Sequence, residues 1–343
     1  MYAIIRFFLF LLPAEMAHNF SLSALNFVAG NALGGFLLDW LHPTVPADAA
    51  VVAGLRFENR VGVAAGLDKN ARYYAALWRL GFGFVEIGTV TPMPQMGNAQ
   101  PRLFRLRADG AIINRMGFNN EGVDVAAARL RNRPKGLIIG GNIGKNKDTP
   151  NDRALRDYEI CFERLFDVVD YFTVNVSSPN TPNLRELQEK DALEGILVGL
   201  QAINQSKPKP KPIFLKIAPD LNDEQLNDVV YLVQKTQIAG VVATNTTVAR
   251  AGLRTTAARV AQMGAGGLSG LPLSGRSTEV VAFLRKNLPQ TYAIIGVGGI
   301  FSAQDAAQKI DAGADLVQLY TGFVYKGSPL VQNIKKMLRT QKV

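Results

Sequence analysis

The chain has 343 residues, 48% hydrophobic and 19% charged, which is ample for a sizeable core and argues against disorder. Its 38 Lys and Arg against 28 Asp and Glu leave +10, a balance suited to an anionic ligand, a nucleic acid or an acidic membrane surface. One cysteine, Cys161, excludes an intrachain disulfide and a cysteine-rich metal site, and two histidines, His18 and His42, exclude a polyhistidine centre.

The first apolar run, residues 7–12, is closed by Pro13 and Glu15, short of the roughly 20 residues that a spanning helix needs. A signal peptide is a competing reading, with Arg6 as a thin positive region, but no small-residue cleavage site follows. Phe20, Leu22, Leu25, Val28, Leu33, Phe36, Leu37 and Trp40, interrupted by Gly30, Gly34 and Gly35, read as two short helices. They carry more apolar surface than a free pair can hide. Such a pair either packs on the main domain or lies in a membrane interface, and composition leaves both open.

From residue 61 one theme recurs: a short apolar run ending in Gly, Asn, Lys or Thr. The runs are 61–65, 84–87, 137–141, 171–176, 213–217, 240–243, 293–297 and 315–319. Helix-like stretches follow most of them, among them 73–80, 121–131, 155–168, 223–236, 278–287 and 303–312. Continuous rather than alternating apolar runs are the mark of buried parallel strands. Eight such units predict a (β/α)8 TIM barrel with a small N-terminal two-helix extension. A doubly wound sheet is the runner-up, but its glycine-rich fingerprint is missing after the first strand, where Ala65-Gly66-Leu67-Asp68-Lys69 stands instead. Two intervals are long, 89–136 and 246–292, and in a barrel both lie on the catalytic face. The alternating Lys and Pro of 207–212 read as a stiff, solvated loop.

Polar groups follow every strand: Lys69, Thr89, Asn142, Asn175 with Ser178, Lys216, Thr244 with Asn245, the glycines of 296–299, and Tyr320-Thr321-Gly322. Any one of them is explicable as a cap or turn residue; all eight at one end of a barrel converge on a pocket of amides, ammonium groups and hydroxyls. The glycines after strands seven and eight match the usual barrel phosphate site. A phosphate there, a lysine on strand five and several asparagines fit a planar cofactor with a phosphate tail, such as flavin mononucleotide.

These motifs resemble a known family. Ala64-Ala65-Gly66-Leu67-Asp68-Lys69, Asn114-Arg115-Met116-Gly117-Phe118, Asn142-Ile143-Gly144-Lys145-Asn146-Lys147, Asn175-Val176-Ser177-Ser178-Pro179-Asn180-Thr181, Thr244-Asn245-Thr246-Thr247, Gly267-Leu268-Ser269-Gly270, Gly296-Val297-Gly298-Gly299-Ile300 and Tyr320-Thr321-Gly322-Phe323 are similar to those of the dihydroorotate dehydrogenases, in order and over nearly the whole chain. The N-terminal extension and Ser178 resemble the membrane-associated, quinone-reducing class. The soluble class carries a cysteine base, and Cys161 lies in a helix-like stretch where a packed, inert thiol is expected.

The resemblance implies oxidation of dihydroorotate to orotate in pyrimidine synthesis, with FMN as hydride acceptor and a membrane quinone as final acceptor. It implies Ser178 as the base, with Thr246 or Thr181 as possible neighbours in a proton relay. Flavin contacts carried over are Ala65, Gly66, Lys69, Thr89, Asn142, Asn175, Lys216, Thr244, Gly270, Gly299, Tyr320 and Thr321. Substrate contacts are Lys69, Asn114, Arg115, Met116, Gly117, Phe118, Asn175, Asn180, Asn245 and Thr246. His18, Arg105 and Tyr320 would ring the quinone head. The division expected is a membrane and quinone-tunnel domain over 1–42 and a catalytic barrel over 43–343, in a monomeric peripheral protein on the cytoplasmic face of the bacterial inner membrane. An RNA-modifying flavin barrel is the rival from another class, but Lys and Arg are scattered and no nucleic-acid partner is expected. A non-catalytic membrane-binding barrel would leave the strand-end residues unexplained. Loop 250–264 reads as long and Ala-rich, with an uncertain part in closing the site.

Overall fold

A computed structural model describes residues 2–41 and 48–340. The first forty residues form three helices rather than two: α1 (Tyr2–Leu9), α2 (Ala14–Gly30) and α3 (Ala32–Leu41). Pro13 ends the first run and starts the next, its carbonyl accepting from the Ala17 amide at 2.9 Å. Helix α2 runs to Gly30 before it breaks, and the Asn31 side chain accepts from the Gly34 amide at 2.6 Å, so α3 leaves at a bend of 105°. The domain boundary expected at 42/43 and His42 lie outside the described residues.

A hairpin, β1 (Ala50–Val52) and β2 (Leu55–Phe57), precedes the barrel and was not anticipated from its three-residue strands. The chain continues through β3 (Val61–Val63), α4 (Tyr74–Arg79), β4 (Phe84–Val90), β5 (Leu103–Leu106), β6 (Ala111–Asn114), α5 (Val123–Leu130), β7 (Ile138–Ile143), α6 (Ala154–Leu165), β8 (Tyr171–Asn175) and α7 (Lys190–Gln205). It ends with β9 (Ile213–Ile217), α8 (Asp223–Thr236), β10 (Gly240–Ala243), α9 (Ala257–Met263), β11 (Gly267–Gly270), α10 (Ser274–Asn287), β12 (Ala293–Val297), α11 (Ala303–Asp311), β13 (Leu316–Leu319), α12 (Thr321–Lys326) and α13 (Ser328–Thr340).

The eight expected strands close into a parallel barrel in the order β3-β4-β7-β8-β9-β10-β12-β13. Strands β4 and β7 run past their expected ends because Val90 and Ile143 still pair beyond a bulge. The barrel floor is filled by rings that glycines make room for. A Cβ on Gly62 would lie 2.3 Å from the Phe84 ring, and one on Gly140 would lie 2.2 Å from Tyr171. Phe57 of the hairpin closes the floor edge-on to Phe84, with centroids 5.1 Å apart. Above these rings the interior turns polar, with Glu86, Thr173, Lys216 and Gln318 all buried.

The helices wrap the barrel by burying one apolar stripe each. In α7, Leu193, Ile196, Leu197 and Leu200 are buried, and truncating one to Ala costs about 2–5 kcal/mol. Capping boxes begin α8 at Asn222 with Gln225 and α11 at Ser302 with Asp305. The two long intervals meet in a feature that glycines concealed: β5, β6 and β11 form an antiparallel sheet over the barrel mouth, Asn114 opposite both Leu103 and Gly267. Loop 250–264 holds α9 and is pinned to this sheet by Asp109, whose carboxylate accepts from the Arg254 and Thr255 amides.

Candidate active site

The C-terminal ends of the barrel strands open into a cleft of about 1050 Å³ under the antiparallel sheet. Its position follows from the barrel: each parallel strand delivers its last side chains to the same rim. Asp68, buried after β3, accepts from the Arg72 and Tyr73 amides at 2.8 Å each, and this turn directs the adjacent Lys69 into the cleft. Burial holds the Lys69 ammonium down at about 8, with the Arg102 charge adding to this and Glu15 opposing it. Gly66 and Gly299 adopt φ of 94° and 73°, leaving bare backbone along the wall. A Cβ on Gly299 would lie 2.2 Å from the Ser274 backbone and one on Gly322 would lie 1.9 Å from the Ile300 carbonyl.

The amides form a connected network. Asn175 Nδ2 donates to Thr89 Oγ1 at 2.8 Å and to Asn142 Oδ1 at 3.1 Å, while Asn142 Nδ2 donates to Glu86 at 2.8 Å. Glu86 also accepts from Tyr171, Thr173 and Gln318, so both oxygens of a carboxylate deep in the barrel are engaged. Beside it the Lys216 ammonium makes no hydrogen bond among the described residues; burial lowers its pKa, and the Glu86 charge opposes that. Gln318 Oε1, Asn180 Oδ1 and Thr181 Oγ1 are buried without partners. Unpaired amide oxygens and an unpaired ammonium facing one cleft are what a planar ligand rich in N–H and C=O groups would satisfy.

Ser178 lines the cleft and its Oγ accepts from the Asn180 amide at 3.3 Å. Neither Thr181 nor Thr246 hydrogen-bonds to it among the described residues. Asn180 Nδ2 donates to Asn114 at 2.8 Å, and Asn245 Nδ2 donates to Ser177 Oγ at 3.0 Å. Thr246 sits so close to β11 that a Cβ on Gly267 would lie 1.9 Å from its hydroxyl.

Of the residues expected here, Ala65, Gly66, Lys69, Thr89, Asn114, Met116, Gly117, Phe118, Asn175, Ser178, Asn180, Lys216, Thr244, Asn245, Thr246, Gly270, Gly299, Tyr320 and Thr321 line the cleft. Two do not. Asn142 is fully buried one layer beneath, behind Thr89 and Asn175. Arg115 turns outward, donating to the Pro101 carbonyl at 2.9 Å and stacking 5.2 Å from the Phe104 ring centroid. Three polar side chains were not anticipated. Gln318 and Glu86 are polar positions inside otherwise apolar strands, a signal present in the sequence, whereas Ser269 faces the cleft only because β11 folds back over it. Cys161 is buried in α6 and burial pushes its thiol up, so it remains a packed thiol.

A second cavity, about 1780 Å³ and mostly apolar, lies between the N-terminal helices and the barrel. His18 and Arg105 line it, with Phe10, Leu22, Leu25 and Phe323. Arg105 donates to the carbonyls of Leu9 and Leu12 and lies 4.5 Å over the Phe10 ring, capping α1. Burial drops His18 to about 3, and the Lys69 charge contributes. Tyr320, Leu103 and Ile112 line both cavities and form the wall between them.

The family model described as dihydroorotate dehydrogenase matches residues 49–341. A protein of Christiangramia forsetii named dihydroorotate dehydrogenase (quinone) is 59% identical over 287 residues, 84% of this chain and 83% of the relative. One of the same name from Flavobacterium lutescens is 47% identical over 348 residues, spanning 100% of this chain and 97% of the relative. Among solved structures, DHODH of Eimeria tenella in complex with ferulenol superposes with a TM-score of 0.83 at 35% identity, covering 95% of this chain and 91% of that one.

Proposed function

The chain belongs to the dihydroorotate dehydrogenase family and oxidises dihydroorotate to orotate with a quinone as final acceptor, and we propose which residues do this and where the electrons leave. The family is flavin-dependent, and FMN is the form we assign to the mouth cleft. Its fit rests on the unpaired Lys216 ammonium and Gln318 oxygen deep in the cleft and on the bare backbone of Gly66, Gly270 and Gly299 at its rim. The phosphate would be held by the backbone at Gly299, Thr321 and Gly322, where a side chain on either glycine would collide with backbone. When bound, the flavin supplies a two-electron acceptor that a quinone can regenerate.

Lys69 takes the substrate carboxylate, and Asn114, Asn175, Asn180, Asn245 and Thr246 bracket the ring, donating to its carbonyls and accepting from its N–H groups. Ser178 removes the C5 proton as its own hydroxyl proton passes to solvent water at the cleft. An alcohol is a weak base, so the Asn180 amide that donates to Ser178 Oγ matters: it stabilises negative charge on the oxygen as the proton leaves. Lys216 would hold the polar edge of the flavin ring and supply a positive charge to offset the negative charge that accepting electrons brings.

The quinone enters through the apolar cavity, and the observation that carries this reading is that Tyr320 lines both cavities. Burial pushes the Tyr320 phenol up to about 12, so it stays neutral at working pH. His18 and Arg105 are among the polar groups of that cavity, with Ser21 and Gln332. Among the described residues, thirteen exposed large hydrophobic side chains fall within 2–41 against eight in 48–340, and Phe27, Leu33 and Phe36 are at least 70% exposed. No single helix is long and apolar enough to cross a membrane. We assign α1–α3 as an arm that lies in the membrane interface, on the cytoplasmic face, with the quinone drawn from the lipid.

The test is spectroscopic. Anaerobic dihydroorotate should bleach the flavin band near about 450 nm, and a quinone should restore it. Bound flavin that dihydroorotate leaves unbleached would overturn the substrate assignment; a protein that binds no flavin would overturn the site.

A further inference from the structure

Glu15 lies in the first turn of α2, on the arm, and touches neither cavity. Its carboxylate takes a forked ion pair from Arg102 of the barrel: Nε to Oε1 at 3.1 Å and to Oε2 at 3.2 Å, Nη2 to Oε1 at 2.7 Å. The side chains are only 18% and 9% exposed, so water screens this pair little. The remaining Arg102 nitrogen, Nη1, donates to the carbonyls of Met96 and Asn98 at 2.6 and 2.9 Å. One guanidinium thereby clamps the turn that carries Asn98 onto the arm.

Asn98 leads onward to the substrate side. Its Nδ2 donates to the carbonyls of Arg115 and Asn180 at 3.0 Å each, and the Asn180 side chain, which faces the cleft, donates to Asn114. The packing leaves no slack: a Cβ on Gly117 would lie 2.8 Å from the Asn98 amide, and one on Gly97 would lie 2.3 Å from the Met116 carbonyl. Glu15 reaches the cleft by a second route as well, through its charge. It is close enough to Lys69 to favour the ammonium, against burial and the Arg102 charge.

We propose that Glu15 and Arg102 are positioning residues through which docking of the membrane arm sets the affinity of the dihydroorotate site. The arm then reaches both half-reactions: it walls the quinone cavity and, through this ion pair, holds the carboxylate-binding lysine charged and the Asn98–Asn180 turn in place. The inference rests on the assignment of the mouth cleft to dihydroorotate.

The experiment is a titration of the full-length flavin-loaded protein with orotate, read as the perturbation of the flavin spectrum, across pH 6–9. Wild type should bind orotate and weaken above about pH 8, as Lys69 loses its proton. Glu15→Gln should raise the orotate Kd about tenfold, an ordinary coupling between sites, and move the onset of weakening to lower pH. Glu15→Asp, which keeps the charge, should restore the pH onset, whereas Arg102→Lys, which keeps a charge but loses the fork, should weaken binding through the turn. Unchanged orotate Kd at every pH in Glu15→Gln, with only a lower melting temperature, would overturn the proposal and leave a structural staple. If Glu15→Gln fails to fold, Glu15→Asp and Arg102→Lys decide by the same readout, and wild-type Kd in both would overturn it. A wild-type protein that binds flavin but not orotate would overturn the underlying site assignment instead.

Discussion

The mouth cleft and the arm cavity share a wall at Tyr320 but are built by opposite means. In the cleft each polar side chain is fixed by others: Asn175 alone binds Thr89, Asn142, Ser177 and Asn245. Such a lattice has one geometry, and it selects a small polar ring by matching donors to acceptors. The arm cavity has leucines and phenylalanines for walls, and its one guanidinium is spent on the carbonyls of Leu9 and Leu12. Apolar burial is non-directional, so this cavity selects by partition rather than by pattern. With the two cavities assigned as proposed, substrate specificity and acceptor tolerance are separable, and substitutions on either side of Tyr320 should act on different half-reactions.

The largest effect should come from Ser178→Ala. Loss of a positioned base costs about 10²–10⁴-fold, here in flavin reduction by dihydroorotate measured by stopped flow. Reoxidation of the chemically reduced variant by quinone should proceed at the wild-type rate. Reduction of Ser178→Ala at near-wild-type rate would remove Ser178 as the base, and slowed reoxidation would break the separation of the two sides.

Next in size is the arm surface. Phe8, Phe27 and Phe36 are 62–78% exposed. Replacing all three with Ser should lower partition into vesicles by at least about tenfold per residue, from roughly 1.5–3 kcal/mol of lost apolar burial each. Activity with a short-chain soluble quinone should stay within about twofold, because none of the three lines a cavity. Undiminished vesicle binding would remove the interfacial role of the arm.

How much of this contrast could be read in the sequence differs between the two sides for physical reasons. Barrel strands declare themselves as apolar runs with a polar residue at one end, so six of the eight start at the expected residue, and β7 and β13 start one residue later, at Ile138 and Leu316. The cleft inherits that clarity, since a residue after a parallel strand has only one place to go. Arg115 and Asn142 show the limit: proximity in the chain put them in the motifs, but rotation about the strand put one outside and one beneath. The sheet β5-β6-β11 was hidden because Gly267-Leu268-Ser269-Gly270 has the composition of a turn and pairs with a strand more than 150 residues away. Helix α7 was similarly obscured by Gly195 and Gly199, though its buried leucine stripe is regular. On the arm side, composition announced an excess of apolar surface, left packing and a membrane interface both open and placed no contact, and Glu15 reads as an ordinary acidic residue in a first helical turn until Arg102 is seen beside it.

His18→Ala should give a smaller, one-sided effect: a rise of about tenfold in the quinone KM, with the dihydroorotate half-reaction unchanged, read as steady-state against single-turnover rates. A change confined to the dihydroorotate side would move His18 to the other cavity.

The smallest effect is a pH dependence of arm docking itself. With the arm docked, burial, helped by the Lys69 charge, holds His18 at about 3, while an undocked histidine titrates near 6.5. Between these values the undocked arm binds a proton that the docked arm refuses, so docking is fully favoured above about 6.5 and weakens as the pH falls toward 3. Glu15, ion-paired with Arg102, is the other charged group that α2 brings to this contact. The comparison is therefore made near about pH 5.5–6, where His18 is the group that distinguishes the two states. Amide exchange in α2 should speed up there in wild type relative to pH 7.5, and His18→Gln should flatten the difference. Equal pH dependence in the two proteins would show that the imidazole is not the element through which pH reaches the arm.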